Sequence, residues 1–401
     1  MLSLSAALAL VAEKLAHARL PLPPPIPLNE AAGRFLAHDL LAPENLPAFD
    51  RSAMDGYVIR SDDPSPSFAI TQILRPGQPP APPIPPGNAA RIFTGALLPL
   101  GGPYQVIPQE NTTAQDHLLR IHTPTDRPWI RFQGEDAKAG QLLLSRGTPL
   151  RAGELSLLAS LGATLVQTTP LPRVLHLTTG DELVPPGQPP NPGQIRDSNS
   201  TLLHALLHSG GAQRVHHTHV PDSLEALVHA VHAQPADAWD ALLLSGGASV
   251  GDYDFGARAL RSLGFTLHFE RLNLRPGKPL IFATRNHQLA FVLPGNPVSH
   301  FVTYHLVIQR ALDALAGVER GWQTLQLPVT HSYPLKPDAR ETWCPARILA
   351  CSGTLHVAPL PWQSSGDVSG LARANALLKV APGERIPEDG FPAECLPLFD
   401  L

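Results

Sequence analysis

ALLLSGGASVGDYD, residues 241–254, joins a short apolar run to a glycine-rich turn and then to two aspartates. A short apolar run bounded by turn residues is typical of a buried strand, and glycines let the backbone approach a ligand closely. Two further loops, LRPGKP (274–279) and LPGNPVS (293–299), also follow apolar runs. Together these loops offer backbone N–H groups, a lysine and carboxylates, which suits a ligand that carries phosphate with a divalent metal.

The residues around these loops, 170–318, alternate short apolar runs with helical patterns. The alternation predicts an α/β domain with a doubly wound, mostly parallel sheet and helices on both faces. Ligands of such sheets bind at the carboxyl ends of the strands, where we expect all three loops. The expected strands are VLHL (174–177), ALLLS (241–245), TLHF (266–269), PLIF (279–282) and LAFVL (289–293), and the expected helices begin near Asn199, cover about 223–234, and run from Asn296 to Gly317.

The rest of the chain predicts three further domains. Residues 1–40 with 140–168 have helical character and form a discontinuous, helical and β N-terminal domain. A β insertion domain of short strands and turns occupies 41–139 between them. Residues 322–401 return to short strands without helical periodicity, which predicts a small C-terminal β-barrel domain.

Composition and charge exclude several classes of partner. The 401 residues include 30 Lys or Arg and 34 Asp or Glu, so no basic field exists and nucleic acid is not an expected partner.

No run reaches the roughly twenty apolar residues that cross a bilayer. The apolar N-terminus lacks the features of a signal peptide and predicts an amphipathic helix with Leu4, Leu8, Val11 and Leu15 on one face. Three cysteines without a CxxC pair indicate reduced thiols, and we expect a cytoplasmic protein.

Acidic residues near strand ends are candidate magnesium ligands. Thr179, Gly180 and Glu182 lie in the turn after VLHL, while Asp222 and Asp254 lie near the starts of predicted helices. Hard carboxylate oxygens suit Mg²⁺, which takes one or two protein ligands and completes its shell with water and phosphate. Asp222 lies just before a predicted helix, so capping of that helix explains an aspartate there as well as metal binding does.

The glycine-rich turn leaves one other chemistry open. Residues 247–251 match the G-x-S-x-G elbow of serine hydrolases, with His268, His287 or His300 as a candidate base, although the usual oxyanion motif is absent. No GK[ST] follows, so the turn is not a Walker A loop. The histidines of VHHTHV (215–220) alternate between two faces of a strand and lack zinc spacing, so we expect no metal there.

A family resemblance extends along essentially the whole chain. The segments that carry it are SAMDGY (52–57), RIFTGA (91–96), GED (134–136), TTGDEL (178–183), SGGASVGDYD (245–254), PGKP (276–279), LPGNPVS (293–299) and LARAN (371–375). In this order they resemble the molybdopterin molybdenumtransferase family, the group of MoeA and the gephyrin E domain. The resemblance implies four domains in an elongated homodimer, and a molybdopterin-binding type of α/β domain.

The implied activity is insertion of molybdenum from molybdate into adenylated molybdopterin, with Mg²⁺-dependent release of AMP, in molybdenum cofactor biosynthesis. Because the pterin dithiolene ligates the molybdenum, the protein needs no thiolate cluster of its own, and the sequence has none. Alternatives are the adenylyltransferase of the same pathway, whose α/β domain is similar, and a non-catalytic cofactor carrier or scaffold. Partners implied besides molybdopterin-AMP and molybdate are an adenylyltransferase and proteins that mature molybdoenzymes.

The resemblance also implies roles for individual residues. The implied catalytic residues are Asp55, Asp136, Glu182, Asp222, Asp254, Arg275 and Lys278, and the implied Mg²⁺ ligands among them are Glu182, Asp222 and Asp254. The implied binding residues for the adenylated pterin and molybdate are Thr94, Thr179, Gly180, Gly246, Gly247, Ser249, Pro294, Asn296, Pro297, Arg340 and Ser365. Asp55, Thr94 and Asp136 would reach the site from the second subunit. Arg271 and Arg275 stand where the family leads us to expect lysine, so forked guanidinium donors replace point charges.

Overall fold

The chain divides into two units, called unit 1 and unit 2. Unit 1 comprises Met1–Ala37 with Leu165–Leu401, and unit 2 comprises His38–Thr164. The boundaries expected for four domains remain a prediction. The computed structural model describes residues 1–247, 255–320, 323–351, 353–362 and 364–398.

The N-terminal segment of unit 1 supplies one helix, α1 (Leu4–Leu15), and a short strand, β1 (Ile26–Pro27). Ser3 is the N-cap of α1, and its hydroxyl accepts a hydrogen bond from Ala6 N at 3.2 Å. Leu4, Val11 and Leu15 are buried in the largest apolar cluster of the unit. The predicted amphipathic helix is therefore confirmed, and its apolar face packs into the core.

Unit 2 is a β-rich unit with one helix. Its elements are β2 (Leu40–Leu41), β3 (Arg51–Ser52), β4 (Gly56–Arg60), β5 (Phe68–Leu74), β6 (Asn88–Ile92), β7 (Tyr104–Pro108), β8 (Thr112–Gln115), β9 (Leu118–Ile121), β10 (Ile130–Arg131), β11 (Leu142–Leu144) and α2 (Ala152–Ser160). The main sheet has six strands in the order β7-β4-β6-β5-β9-β8, and only β5 and β6 are parallel neighbours. Strands β2 and β3 pair with β11 and β10.

The following part of unit 1 alternates strands and helices. Its elements are β12 (Leu165–Val166), β13 (Arg173–Thr179), β14 (Leu183–Val184), β15 (Ile195–Arg196), α3 (Asn199–Ser209), β16 (Gln213–Val220), α4 (Leu224–His232), β17 (Ala241–Ser245), α5 (Phe255–Ser262), β18 (Thr266–Phe269), β19 (Leu274–Arg275), β20 (Ile281–Arg285), β21 (Gln288–Leu293), α6 (Pro297–Thr303) and α7 (Gln309–Ala316). A π-helical turn, Tyr304–Ile308, joins α6 to α7, and Gly317 ends α7 in the left-handed conformation.

Six strands form the central sheet of unit 1, in the order β16-β13-β17-β21-β20-β18. The first four are parallel, whereas β20 is antiparallel to both its neighbours. The connection between β18 and β20 therefore lies at the same edge as the carboxyl ends of the parallel strands. LRPGKP belongs to that connection, as expected.

Helices cover both faces of this sheet. Alternate residues of β17 enter different apolar clusters: Leu243 packs with α1, α3, α6 and α7, while Leu242 and Leu244 pack with α4 and α5. All five residues of β17 are buried, which explains its unbroken apolar run. The predicted doubly wound α/β domain is confirmed.

The C-terminal part of unit 1 forms a small barrel. Its elements are β22 (Leu325–Pro328), β23 (Glu341–Cys351), β24 (Thr354–Pro359), α8 (Val368–Leu371), β25 (Ala376–Val380) and β26 (Pro392–Pro397). Pairing runs β24-β23-β25-β26-β22, and a bridge between Val329 and Val357 closes the ladder. Strand β19 adds to this barrel in parallel with β23. The predicted β-barrel is confirmed, although β26, α8 and the addition of β19 were not foreseen.

Two smaller expectations concern cysteines and membranes. Cys344, Cys351 and Cys395 are all free, and two of them are buried. Within the described ranges, no helix has the length and apolar character required to cross a bilayer.

Candidate functional site

The turn after β17 contacts the ends of both neighbouring strands. Gly246 N donates a hydrogen bond to Leu293 O at 3.1 Å, which joins this turn to the loop after β21. A Cβ added at Gly246 would lie 2.6 Å from Thr179 O and 2.7 Å from Thr179 Oγ1, so the turn also lies against the end of β13. Gly246 and Gly247 have φ of +100° and +66°, conformations that favour glycine. Predicted residues Thr179, Gly246, Gly247 and Pro294 are thus brought together.

Residues 248–254, which include Ser249 and Asp254, lie outside the described residues. Described residues on either side of it are hydrogen-bonded, because Gly256 N donates to Gly247 O at 3.2 Å. Helix α5 therefore starts next to the glycine turn. The serine-hydrolase alternative depends on Ser249 and remains untested.

The loop after β21 leads into α6 as the sequence predicts. Asn296 occupies the N-cap position and Pro297 the first turn, but the Asn296 side chain makes no capping hydrogen bond. Instead, Val298 N donates to Ser365 O at 3.0 Å. Predicted residues Asn296, Pro297 and Ser365 therefore meet at the start of α6.

Two predicted metal ligands lie beside this edge. Glu182 is exposed, and its Oε2 would lie 2.9 Å from a Cβ added at Gly180. Asp222 N donates to Asp181 Oδ1 at 3.4 Å, which ties the turn after β13 to the segment before α4. Capping does not explain Asp222, because Ser223 is the N-cap of α4.

These donors fit Mg²⁺. The described residues contain no group of three or more His, Cys, Asp or Glu side chains arranged to hold a metal. Two hard carboxylates on adjacent segments suffice for Mg²⁺, which keeps several waters and binds substrate phosphate oxygens.

The predicted oxyanion-binding arginines converge on an internal carboxylate. Arg340 Nη2 and Nε each lie 2.8 Å from Asp338 oxygens, and Arg275 Nη1 lies 3.6 Å from Asp338 Oδ2. Hydrogen bonds from Arg340, opposed by partial burial, hold the pKa of Asp338 at about 2. The Arg275 guanidinium also lies 5.7 Å from the centre of the Trp362 ring. Among the described residues, no carboxylate lies within 4.0 Å of the Lys278 ammonium group.

The remaining predicted residues lie in unit 2. Thr94 N and Thr94 Oγ1 both donate to Asp55 Oδ1 at 2.7 Å. The backbone bond, followed by the hydroxyl bond, lowers the pKa of the Asp55 carboxyl below its ordinary value. Asp136 Oδ1 lies 2.5 Å from Arg131 Nη2. Asp55 and Thr94 are thus in direct contact, while Asp136 belongs to a separate ion pair.

Sequence reasoning missed a buried polar cluster directly below the glycine turn. Ser245 Oγ lies 2.8 Å from His176 Nε2 and 2.9 Å from His300 Nε2. Burial lowers the pKa of His300 to about 4 and that of His176 well below its ordinary value. A histidine inside an apolar strand run such as VLHL was the available signal, since a buried imidazole needs hydrogen-bond partners.

Family models cover three successive parts of the chain. The MoeA N-terminal region (domains I and II) matches residues 2–162, and a probable molybdopterin-binding domain matches residues 176–314. The MoeA C-terminal region (domain IV) matches residues 328–398.

Two relatives are similar to this chain along most of their length. The molybdopterin molybdenumtransferase of a Nostoc species is 35% identical over 384 residues, which covers 91% of this chain and 86% of the relative. That of Synechococcus elongatus is 34% identical over 408 residues, which covers 98% and 99% of the two chains. A solved structure of the molybdopterin biosynthesis MoeA protein from Pyrococcus horikoshii superposes with a TM-score of 0.79 at 25% identity, over 100% of both chains.

Proposed function

Because this chain belongs to the MoeA family of molybdopterin molybdenumtransferases, we propose that it inserts molybdenum from molybdate into adenylated molybdopterin and releases AMP. The chain is a transferase of molybdenum cofactor biosynthesis. The observation that supports the detailed reaction is the convergence of the turns after β13, β17 and β21 at one sheet edge, with two carboxylates beside them.

The phosphate groups of the substrate would bind at the glycine turn. Glycine at 246 and 247 exposes backbone there, and the neighbouring Thr179 hydroxyl is buried without a hydrogen-bond partner among the described residues. A phosphate oxygen is a suitable acceptor for that hydroxyl, and an unpaired buried hydroxyl is costly otherwise.

Glu182 and Asp222 would hold Mg²⁺, with Asp254 as the third proposed ligand. When bound, the metal would supply positive charge against the pyrophosphate link to AMP. The turn that carries the exposed Glu182 is tied to the segment of Asp222 by the bond from Asp222 N to Asp181 Oδ1, which supports a shared role for the two residues in holding the metal.

Molybdate would bind at Arg275, Lys278 and Arg340. Guanidinium and ammonium groups donate charge-assisted hydrogen bonds to oxyanions. Asp338 already accepts from Arg340 and lies 3.6 Å from Arg275, so an incoming dianion competes with this carboxylate for the same donors.

We also propose that the protein is a cytoplasmic homodimer. The three free cysteines suit a reducing compartment. In such a dimer, Asp55, Thr94 and Asp136 would complete the site of the second copy, and the bond from Thr94 keeps Asp55 ionised for that role.

Incubation with adenylated molybdopterin, molybdate and Mg²⁺ tests the proposal, with AMP release measured by chromatography. We expect AMP from the wild type, and a large loss of metal-dependent turnover in Glu182→Gln, Asp222→Asn and Asp254→Asn. Glu384→Gln, an exposed carboxylate outside the site, is the matched control. Absence of AMP would contradict the proposal: consumption of ATP with molybdopterin would then indicate an adenylyltransferase, and tight pterin binding without turnover a carrier.

A further inference from the structure

One buried hydroxyl joins three elements that carry the glycine turn and the start of α6. Ser245 is the last residue of β17, and Gly246 follows it directly. Its Oγ contacts His176 Nε2 of β13 at 2.8 Å and His300 Nε2 of α6 at 2.9 Å. His176, Ser245 and His300 are 0%, 2% and 0% exposed. We call these three residues the histidine hub.

The chemistry of the hub assigns its protons. His300 Nδ1 lies 3.3 Å from Asn296 O, and a carbonyl only accepts, so Nδ1 carries the hydrogen. In a neutral ring Nε2 is then the acceptor, and it accepts the Ser245 O–H. Since Ser245 has one proton, His176 Nε2–H must donate to its oxygen. His176 Nδ1 is left as an acceptor, and it has no partner among the described residues.

This hydrogen-bond pattern requires that the imidazole rings of His176 and His300 are both neutral. Burial is the main cause of the lowered pKa of both His176 and His300. The charged or titratable groups that face the hub are His217, Arg214 and Asp197. A single hydrogen-bond pattern therefore persists at neutral pH.

Neighbouring strand ends are tied in the same way. His217 Nε2 of β16 lies 2.8 Å from Thr178 Oγ1, and its ring centre lies 4.8 Å from that of His176. His219 Nε2 lies 2.9 Å from Gly180 O. Side-chain bonds thus hold the ends of β16, β13 and β17 together beneath the proposed phosphate site.

Two other roles do not fit the hub. A serine between two histidines suggests an activated nucleophile, but the Ser245 hydroxyl is enclosed, its proton is donated to His300 and it accepts a hydrogen bond from His176. The described part of the chain contains no set of three metal-ligating side chains, so the two imidazoles do not form a metal site.

We propose that His176 and His300 are positioning residues: they fix the Ser245 hydroxyl and so hold the Gly246–Gly247 turn and the start of α6 in the geometry that receives the substrate phosphates. This inference rests on the proposed function. Preformed loops bind more tightly than loops that must be ordered on binding. Release of the hub should therefore weaken substrate binding more than it slows the chemical step.

Ser245→Ala and Ser245→Thr test the inference together. Alanine removes the hydroxyl, whereas threonine keeps it and suits a strand. We expect Ser245→Ala to raise the KM for adenylated molybdopterin roughly five- to tenfold with kcat within about twofold of the wild type, and Ser245→Thr to restore the KM. Thr284→Val is the matched control, because it removes a hydroxyl–histidine bond of 2.8 Å elsewhere in the same sheet.

Amide hydrogen exchange gives a readout that does not depend on turnover. Peptides covering 241–247 and 297–303 should exchange faster in Ser245→Ala and at the wild-type rate in Thr284→Val. Wild-type KM and exchange in a folded Ser245→Ala protein would overturn the inference, as would equal impairment by alanine and threonine. An inactive wild type whose exchange still responds to Ser245→Ala would contradict the proposed function while leaving the positioning role intact.

Discussion

Gly246→Ala is the substitution that tests the geometry of the glycine turn most directly. The residue has φ of +100°, a conformation that costs an L-residue about 1–3 kcal/mol. The new Cβ would also lie 2.6 Å from Thr179 O and 2.7 Å from Thr179 Oγ1, and such overpacking typically costs about 1–3 kcal/mol. A lower entropy of the unfolded chain offsets about 0.4–1 kcal/mol. We expect the free energy of unfolding to fall by about 2–5 kcal/mol.

Two other glycines supply graded controls. Gly247 has φ of +66°, but the nearest atom to a Cβ added there would be Gly256 N at 3.4 Å, so Gly247→Ala should cost about 1–2 kcal/mol. Gly187 has no positive φ, and a Cβ added there would meet no atom within 4 Å, so Gly187→Ala should change stability by less than about 0.5 kcal/mol. Urea unfolding followed by circular dichroism measures all three.

Activity should follow the same order as stability among these variants. The alanine at 246 must push the turn away from Thr179, which displaces the proposed phosphate site, so AMP release should fall sharply even where the protein is fully folded. If Gly246→Ala matches Gly187→Ala in both unfolding free energy and turnover, the turn is not packed as described, and the argument for a preformed phosphate site fails.

Three further predictions concern stability. The pKa of His300 is about 4 in the folded protein and about 6.5 in the unfolded chain, so between these pH values the unfolded state binds more protons. The free energy of unfolding should therefore fall by up to about 3 kcal/mol from this residue as the pH drops through that window. His300→Gln should flatten this pH dependence, measured by urea unfolding. Asp240→Ala should lower the free energy of unfolding by about 3 kcal/mol, because buried Asp240 accepts three hydrogen bonds from Arg173. Asp62→Ala, which removes an exposed ion pair with Arg60, should leave stability nearly unchanged in the same assay. Leu15→Ala should lower the thermal midpoint with a loss of about 2–5 kcal/mol, since Leu15 is 2% exposed in the core, while Leu22→Ala at an exposed position should leave the midpoint unchanged.

The parts of the fold that the sequence predicted well are those in which local pattern and burial agree. Strands β17 and β18 coincide with the expected runs ALLLS and TLHF, because short apolar runs between turn signals have few other outcomes. Helix α3 begins at Asn199 as expected and ends one residue before Gly210. The long helix expected from Asn296 to Gly317 is present, but a π-helical turn divides it.

What the sequence could not predict depends on contacts between distant residues. Strand β26 has a proline at each end and no β-branched residue, so only its pairing with β25 and β22 makes it a strand. Asp338 was not a candidate site residue, because its contact with the predicted oxyanion-binding Arg275 joins positions 63 residues apart in the chain. The histidine hub joins residues 69 and 55 positions apart, and no local periodicity links them.

The candidate site was predicted in part. The adjacency of Thr179, Gly246 and Pro294 follows from the rule that parallel strands place their carboxyl ends at one edge, and that rule needs only the strand order. The bond between Val298 and Ser365 could not be foreseen, since it joins the α/β domain to the segment that precedes α8. Roles for Asp55, Thr94 and Asp136 remain predictions.

Strand β19 belongs to the C-terminal barrel by its pairing and to the α/β domain by its position in the chain. Leu274 and Arg275 extend the C-terminal barrel through β23, while the flanking residues belong to the connection between β18 and β20 of the central sheet. The barrel and the central sheet are therefore not exchangeable modules, because deletion of residues 322–401 would leave Arg275 without its strand partner and without Asp338. Exchange of this barrel between related proteins would succeed only if the recipient supplied a matching strand. The Arg275 side chain would then come from the recipient's central sheet, whereas Asp338 would come with the barrel.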